Sequence, residues 1–278
     1  MQEAGSVEHW VIDNCSTDET SRIVQAHPNV HFVCEPDRGQ SDAVNKGFRL
    51  ARGEIICWLN SDDAYPPGLF ARLEEIFGDP EIQVVFGDVE QIPYDGSPPL
   101  RAGARFVRRE DLVRWWSRDV RIHQPAVFFR RSLREKTGFL REDLHYVMDY
   151  EYWWRMAENA RFHHIPEVLA IQHRQPDSKT VRDWQKVYCE RERVFEPYYS
   201  LVDGGNRRVL MAEKRRAMAD RYLGEAYASA GTPRLALGLL MRSFRERPMG
   251  FFDPRWLGLF MRMAGGLERP PHSKNQFP

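Results

Sequence analysis

The sequence predicts an α/β protein with a Rossmann-like, mostly parallel sheet, followed by a helical appendage. Three observations carry that prediction. Short β-branched runs alternate with helical stretches of about ten residues through the first half. Turn and acidic residues cluster where three of the apolar runs end, after Ile12, Cys34 and Leu59. After Lys179 the pattern is helical throughout, with no further strand signal.

The elements follow in order. His9 to Ile12 reads as a strand, and Asp18 to Ala26 as a helix opened by Ser16 or Thr17. Val30 to Cys34 is the next strand and Gln40 to Ala51 the next helix. Glu54 to Leu59 is an apolar, β-branched run and reads as a buried strand. Pro66 and Pro67 suit the entry of a helix over Gly68 to Phe77. Ile82 to Phe86 and Ala126 to Phe129 read as strands, Asp149 to Asn159 as a helix, and Arg161 to Ile165 as a strand. Between Gln91 and Arg121 the order gives way to proline, glycine and charge. The domain boundaries expected are 1–178 for the α/β domain, 179–264 for the helical appendage and 265–278 for a disordered tail. Within the appendage, ADRYLGEAYASAGTPRLALGLLMRSFRERP resembles one tetratricopeptide-like hairpin.

Composition narrows the function classes. The 278 residues carry 40 Lys and Arg against 40 Asp and Glu, so no global field draws in nucleic acid. Cys15, Cys34, Cys57 and Cys189 lack metal-finger spacing; three lie in or beside apolar runs, which predicts buried, reduced thiols and a reducing compartment. No apolar run reaches the roughly 20 residues of a membrane helix, and the start lacks signal-peptide features, so a cytoplasmic location is expected. Basic and aromatic residues near the end, among them Arg242, Phe244 and Trp256, offer peripheral contact with an anionic membrane on its inner face; plain helix packing explains them too.

Three acidic motifs stand at strand ends, where open α/β sheets bind ligands. Leu59-Asn60-Ser61-Asp62-Asp63 follows the strand EIICWL. Adjacent carboxylates repel, and a divalent cation shared with a diphosphate relieves them. An Asx-type turn with solvated aspartates accounts for the same residues, and both readings are open here. In Val11 to Thr20, capping explains Ser16, Thr17 and Asp18 but not Asp13, whose carboxylate can accept a hydrogen bond from a base N–H. In Glu35 to Gly47, Asp42 and Lys46 stand one helical turn apart.

In this order, VIDNCSTDET, DRGQSDAVNKGFRLARGEIICWLNSDD and GFLREDLHYVMDYEYWWRMA resemble the family 2 inverting glycosyltransferases of the GT-A fold, over roughly residues 7 to 175. Enzymes of bacterial surface-polysaccharide assembly are the nearest in pattern. The resemblance implies a nucleotide-sugar donor, a saccharide or lipid-linked acceptor, and Mn²⁺ or Mg²⁺. It implies nucleotide-sugar contacts for Asp13, Asp42 and Asp62, metal ligation by Asp63 and His173, acceptor contacts for Glu151 and Trp153, and the role of catalytic base for Asp149. An ordinary surface position accounts equally for His173, and core packing for the Trp153-Trp154 and Trp115-Trp116 pairs. Two departures stand out. The strand-helix unit with which family members usually begin is missing ahead of residue 7, and Asn60 stands where many relatives carry aspartate. Either the true start lies upstream or the chain is a truncated copy, and the latter keeps a second reading in view: a truncated, inactive scaffold acting through its carboxyl-terminal helices. A nucleotidyltransferase would want a glycine- and lysine-rich phosphate loop, and none is visible.

Overall fold

In a computed structural model, the structure describes residues 7–106, 108–117, 120–175, 178–202, 207–229, 232–248 and 254–265. The chain divides into two compact units, 1–198 and 199–278.

The first unit begins as a βαβα run. Strand β1 (His9–Asp13) lies parallel to β2 (Val30–Cys34), joined by α1 (Thr20–Gln25), and α2 (Gln40–Leu50) follows. Gly39 opens α2 at φ 125°, a conformation that L side chains rarely adopt. Neither Ser16 nor Thr17 caps α1: its N-cap is Glu19, and Ser16 turns back onto Asp13.

The second sheet has six strands: β3 (Ile55–Ile56), β4 (Asp63–Ala64), β5 (Val84–Ile92), β6 (Leu100–Ala102), β7 (Val127–Arg130) and β8 (Phe162–His173). Their order is β3-β7-β5-β8-β4, with β6 beside β5. Only β5 and β8 run parallel; the other four pairings are antiparallel. The α/β class therefore holds, but the expectation of a mostly parallel sheet does not. A parallel neighbour needs a crossover connection, and here β7 returns against β5, while β3 and β4 pair over two residues each.

Residues Val84 to Val89 of β5 are all buried, as suits a central strand covered on both faces. On one face, Leu69, Leu73, Ile76 and Phe77 of α3 (Leu69–Phe77) pack against Val85, Val89, Phe128 and Leu169. At the end of α3 the buried Arg130 guanidinium donates to the carbonyls of Phe77 (2.7 Å) and Asp79 (3.0 Å), a cation placed at the negative end of the helix dipole. Gly87 is required by close packing: a Cβ there would lie 2.5 Å from Leu169 Cγ. Elsewhere in the unit, aromatic rings cluster. Trp58 stacks on Trp153 at 5.1 Å between centroids, and Phe48 packs edge-on to Trp58 and Phe129. Trp153 belongs to α5 (Met148–Asn159), which follows α4 (Arg131–Thr137).

Helices α6 (Lys179–Arg182) and α7 (Trp184–Phe195) belong to this first unit, so the boundary lies at 198/199 and not at the expected 178/179. Polar contacts made by Lys179, Glu190 and Arg191 hold them there, and these leave no trace in a hydropathy pattern.

The second unit contains α8 (Arg207–Ala228), α9 (Pro233–Glu246) and α10 (Pro254–Gly265). Small and apolar side chains face inward on α8 and α9, among them Ala219, Leu223, Ala236 and Leu240, and Ser243 Oγ donates to the Ala219 carbonyl at 2.9 Å. The expected disordered tail lies outside the described residues beyond Gly265. Among the described residues no helix is long and apolar enough to cross a membrane. The four cysteines are free, but Cys15, Cys34 and Cys189 are exposed, against the expectation of burial; only Cys57 is half-buried.

Candidate active site

A cleft of about 740 Å³ opens in the first unit, within the size range of small-molecule sites. Asp62, Asp63 and His173 line it together with Asp149 and Arg191. The cleft thus gathers carboxylates from segments far apart in the chain.

The backbone explains the first group. Beyond β3 the chain turns through Asn60, where Asp63 N–H donates to the Asn60 carbonyl at 3.1 Å, and re-enters the sheet at β4. There Asp63 is paired with Gln172 at the end of β8, which carries His173 alongside. His173 Nδ1 lies 2.6 Å from the main-chain oxygen of Asp62. A carbonyl oxygen only accepts, so Nδ1 donates in this contact, and in the neutral imidazole that arrangement leaves the lone pair on Nε2.

Asp63 is half-buried, and its pKa is pushed up to about 6 by desolvation and then by the neighbouring Asp62 charge, against the Asn60 amide. Asn60 sits in a chain of amides. Its Nδ2 lies 3.3 Å from Asp63 Oδ2 and 3.2 Å from Gln124 Oε1, and its Oδ1 accepts from Gln40 Nε2 at 2.9 Å. An ionised aspartate at position 60 could donate to neither Asp63 nor Gln124.

Asp149 stands in the first turn of α5, near the positive end of the helix dipole. Oδ1 accepts the Tyr150 N–H at 2.8 Å. Burial nonetheless raises its pKa above the ordinary carboxylate range, with Arg191 opposing. The loop that leads to it is stitched to α2: Asn45 Nδ2 donates to the Leu140 carbonyl at 2.9 Å and Asn45 Oδ1 accepts the Leu140 N–H at 2.9 Å. From α7, Glu190 and Arg191 close on the same segment. The Arg191 guanidinium lies 4.9 Å from the Tyr150 ring centroid.

The remaining residues expected at the site lie elsewhere. Trp153 is fully buried among Trp58, Phe129 and Phe162, so it is core and offers no platform to an acceptor. Glu151 is buried one helical turn before Arg155 and bonds to it at 2.8 and 2.9 Å; Arg155 in turn holds the carbonyls of Thr137 and Phe139. Side chains two apart on a helix point away from each other, so with Asp149 facing the cleft Glu151 cannot. Asp13 and Asp42 are buried and lie outside the residues lining the cleft. Asp13 accepts from Ser16 N and Oγ, which lower its pKa. Asp42 accepts the Arg38 N–H at 3.0 Å and faces Lys46 at 3.8 Å, so it braces the start of α2. Gln124, Asn45, Glu190 and Arg191 went unmarked in the sequence, since each acts through polar contacts across a long separation.

Among the described residues no three His, Cys, Asp or Glu side chains are grouped as a ready metal cage. The two adjacent carboxylates, one with a raised pKa, and the Nε2 lone pair of His173 are hard-oxygen and imidazole donors. They fit a divalent cation held by one or two protein groups plus phosphate oxygens.

The α/β fold is that of the GT-A glycosyltransferases. TarS 1–349 of S. aureus, in complex with UDP-GlcNAc, superposes with a TM-score of 0.54 at 15% identity, covering 97% of this chain and 86% of that one. The mannosyltransferase PcManGT of Pyrobaculum calidifontis, in complex with GDP-Man and Mn²⁺, gives 0.52 at 18% identity, covering 96% and 81%. Residues 1–136 match the family Glycosyl transferase family 2. This segment belongs to glycosyltransferase family 2. Chondroitin synthase of Escherichia coli is 28% identical over 174 residues, 60% of this chain and 24% of that protein. Three of the curated relatives are spanned over 62%, 23% and 24% of their own lengths.

Proposed function

We propose that this protein transfers a hexose from a nucleoside-diphosphate sugar to a hydroxyl of a saccharide or lipid-linked acceptor, with inversion, in cell-surface polysaccharide synthesis. The observation that carries the reading is the shared cleft: Asp62, Asp63 and His173 at one part of its wall, and Asp149 at another. The family, and relatives named for chondroitin and succinoglycan synthesis, support the substrate class.

Asp63, with Asp62 and His173 beside it, would hold Mn²⁺ or Mg²⁺. That ion supplies charge neutralisation for a departing diphosphate. The raised pKa of Asp63 suits the role, because the bound cation favours the carboxylate that desolvation disfavours. Asp149 accepts the proton of the acceptor hydroxyl as its oxygen bonds to the anomeric carbon and the bond from that carbon to the diphosphate breaks, the electron pair leaving with the diphosphate. One carboxylate at the sugar suffices for a single in-line displacement, unlike the paired carboxylates of glycoside hydrolysis. Desolvation of Asp149 makes it a stronger base than a solvated aspartate. A lipid-linked acceptor would bring the reaction to the cytoplasmic face of the membrane.

A screen of UDP-, GDP- and dTDP-sugars with Mn²⁺ tests the proposal. The expected result is metal-dependent release of nucleoside diphosphate from at least one donor, stimulated by acceptor; no release and no nucleotide binding with any donor overturns it.

A further inference from the structure

Helix α7 lies beyond the residues that match the family, yet it grips the segment that delivers Asp149. The Glu190 carboxylate accepts three consecutive main-chain N–H groups: His145 at 3.0 Å on Oε1 and 3.1 Å on Oε2, then Tyr146 at 2.6 Å and Val147 at 2.9 Å on Oε2. The Glu190 side chain is 9% exposed. These three amides immediately precede α5, whose second residue is Asp149. Charge-assisted bonds to an oxyanion are short and about twice as strong as neutral ones, and three on one carboxylate fix the path of the backbone. Lys179 adds a bond to the His145 carbonyl and places its ammonium 4.9 Å from the Tyr146 ring centroid. On the far side of the loop, Asn45 holds Leu140 in both directions. The N-cap residue of α5, Val147, offers no side-chain cap bond of its own, so the grip on this end of the helix comes from α7.

We propose that Glu190 is a positioning residue for the base: its carboxylate clamps the 145–147 backbone and thereby fixes where Asp149 stands in the cleft. The inference rests on the reading of Asp149 as the base. A carboxylate presents only acceptors to the three N–H groups, and a neutral amide of the same size presents one acceptor oxygen and two further donors. Glu190→Gln therefore removes the negative charge from the clamp and sets an NH2 donor where Oε1 accepted the His145 N–H, weakening the grip while conserving volume. Misplacing a catalytic group by about 1 Å costs about 100-fold in rate, whereas Asp62, Asp63 and His173, the residues read as holding the donor, stand at β4 and the end of β8, in other segments of the cleft lining.

The test measures wild type and Glu190→Gln in two ways. Hydrogen exchange followed by mass spectrometry reads the peptide spanning 141–150; the 145–147 amides are expected to exchange at least about 10-fold faster in the variant, with other regions unchanged. With the nucleotide sugar that wild type turns over, kcat is expected to fall about 10- to 100-fold while the donor KM stays within about threefold. Equal exchange at 145–147 in both proteins overturns the clamp, and a kcat within about twofold of wild type overturns its role in positioning. Should wild type transfer no sugar at all, the proposed function fails, and the exchange comparison still decides whether Glu190 holds the loop.

Discussion

His173 Nδ1 lies 2.6 Å from the main-chain oxygen of Asp62, across 111 residues of chain. The contact exists because β8 runs on to His173 and pairs with β4 at Asp63. It fixes an imidazole, with its Nε2 lone pair, beside two carboxylates. His173→Ala is therefore expected to weaken Mn²⁺-supported nucleotide binding about 10-fold or more, with little effect in EDTA, as read by calorimetric titration. Equal affinity in both proteins would remove His173 from the site.

Asp63 provides a pH signature. Its folded pKa of about 6 stands above the ordinary 3.8, so between these values the folded chain holds a proton the unfolded chain has released. Stability conferred by that proton is present at low pH and is lost as pH rises through about 6. Metal-free wild type is therefore expected to lose stability relative to Asp63→Asn across this window. At neutral pH the variant is expected to be more stable by about 1 kcal/mol, a figure reduced for the partial exposure of the group. Urea unfolding of both proteins at several pH values checks this; a constant difference across the window contradicts it.

Trp153→Ala tests the reassignment of a sugar platform to core. The side chain is fully buried and stacked on Trp58, so the expected loss is about 3–5 kcal/mol, seen as a shift of the urea midpoint. A variant with wild-type stability and a weakened acceptor KM would reinstate the acceptor role.

Gly87→Ala probes the β5–β8 junction. The added methyl would meet Leu169 Cγ at 2.5 Å and the Glu167 carbonyl at 2.9 Å, beside an irregularity in strand register. An overpacked core of this kind costs about 1–3 kcal/mol, measurable by the same unfolding curves. A neutral substitution would show that β8 can shift here.

The opening βαβα run was legible because β1, β2 and α2 follow local periodicity, and the DRGQSD segment announced its helix. The second sheet was not. Strands β5 and β8 extend through Asp88, Glu90 and Glu167, polar residues that a hydropathy reading takes as strand ends, and β3 shrinks from the apolar EIICWL to Ile55–Ile56. At the site, adjacent acids at a strand end marked Asp62 and Asp63 on physical grounds. Asp149 and His173 were reached through the family resemblance, since neither has a local pattern to distinguish it. That resemblance misplaced Glu151 and Trp153, because helix periodicity turns the residues around Asp149 into the core. Asn60 proved to be an amide relay joining Gln40, Gln124 and Asp63, which a departure from aspartate did not foretell.

Asp149→Asn separates binding from chemistry most directly. The variant is expected to bind the donor nucleotide with Mn²⁺ at wild-type affinity in a calorimetric titration, while sugar transfer falls by about 100- to 10,000-fold. Transfer at the wild-type rate by Asp149→Asn would contradict the assignment of the base and, with it, the division of labour across the cleft.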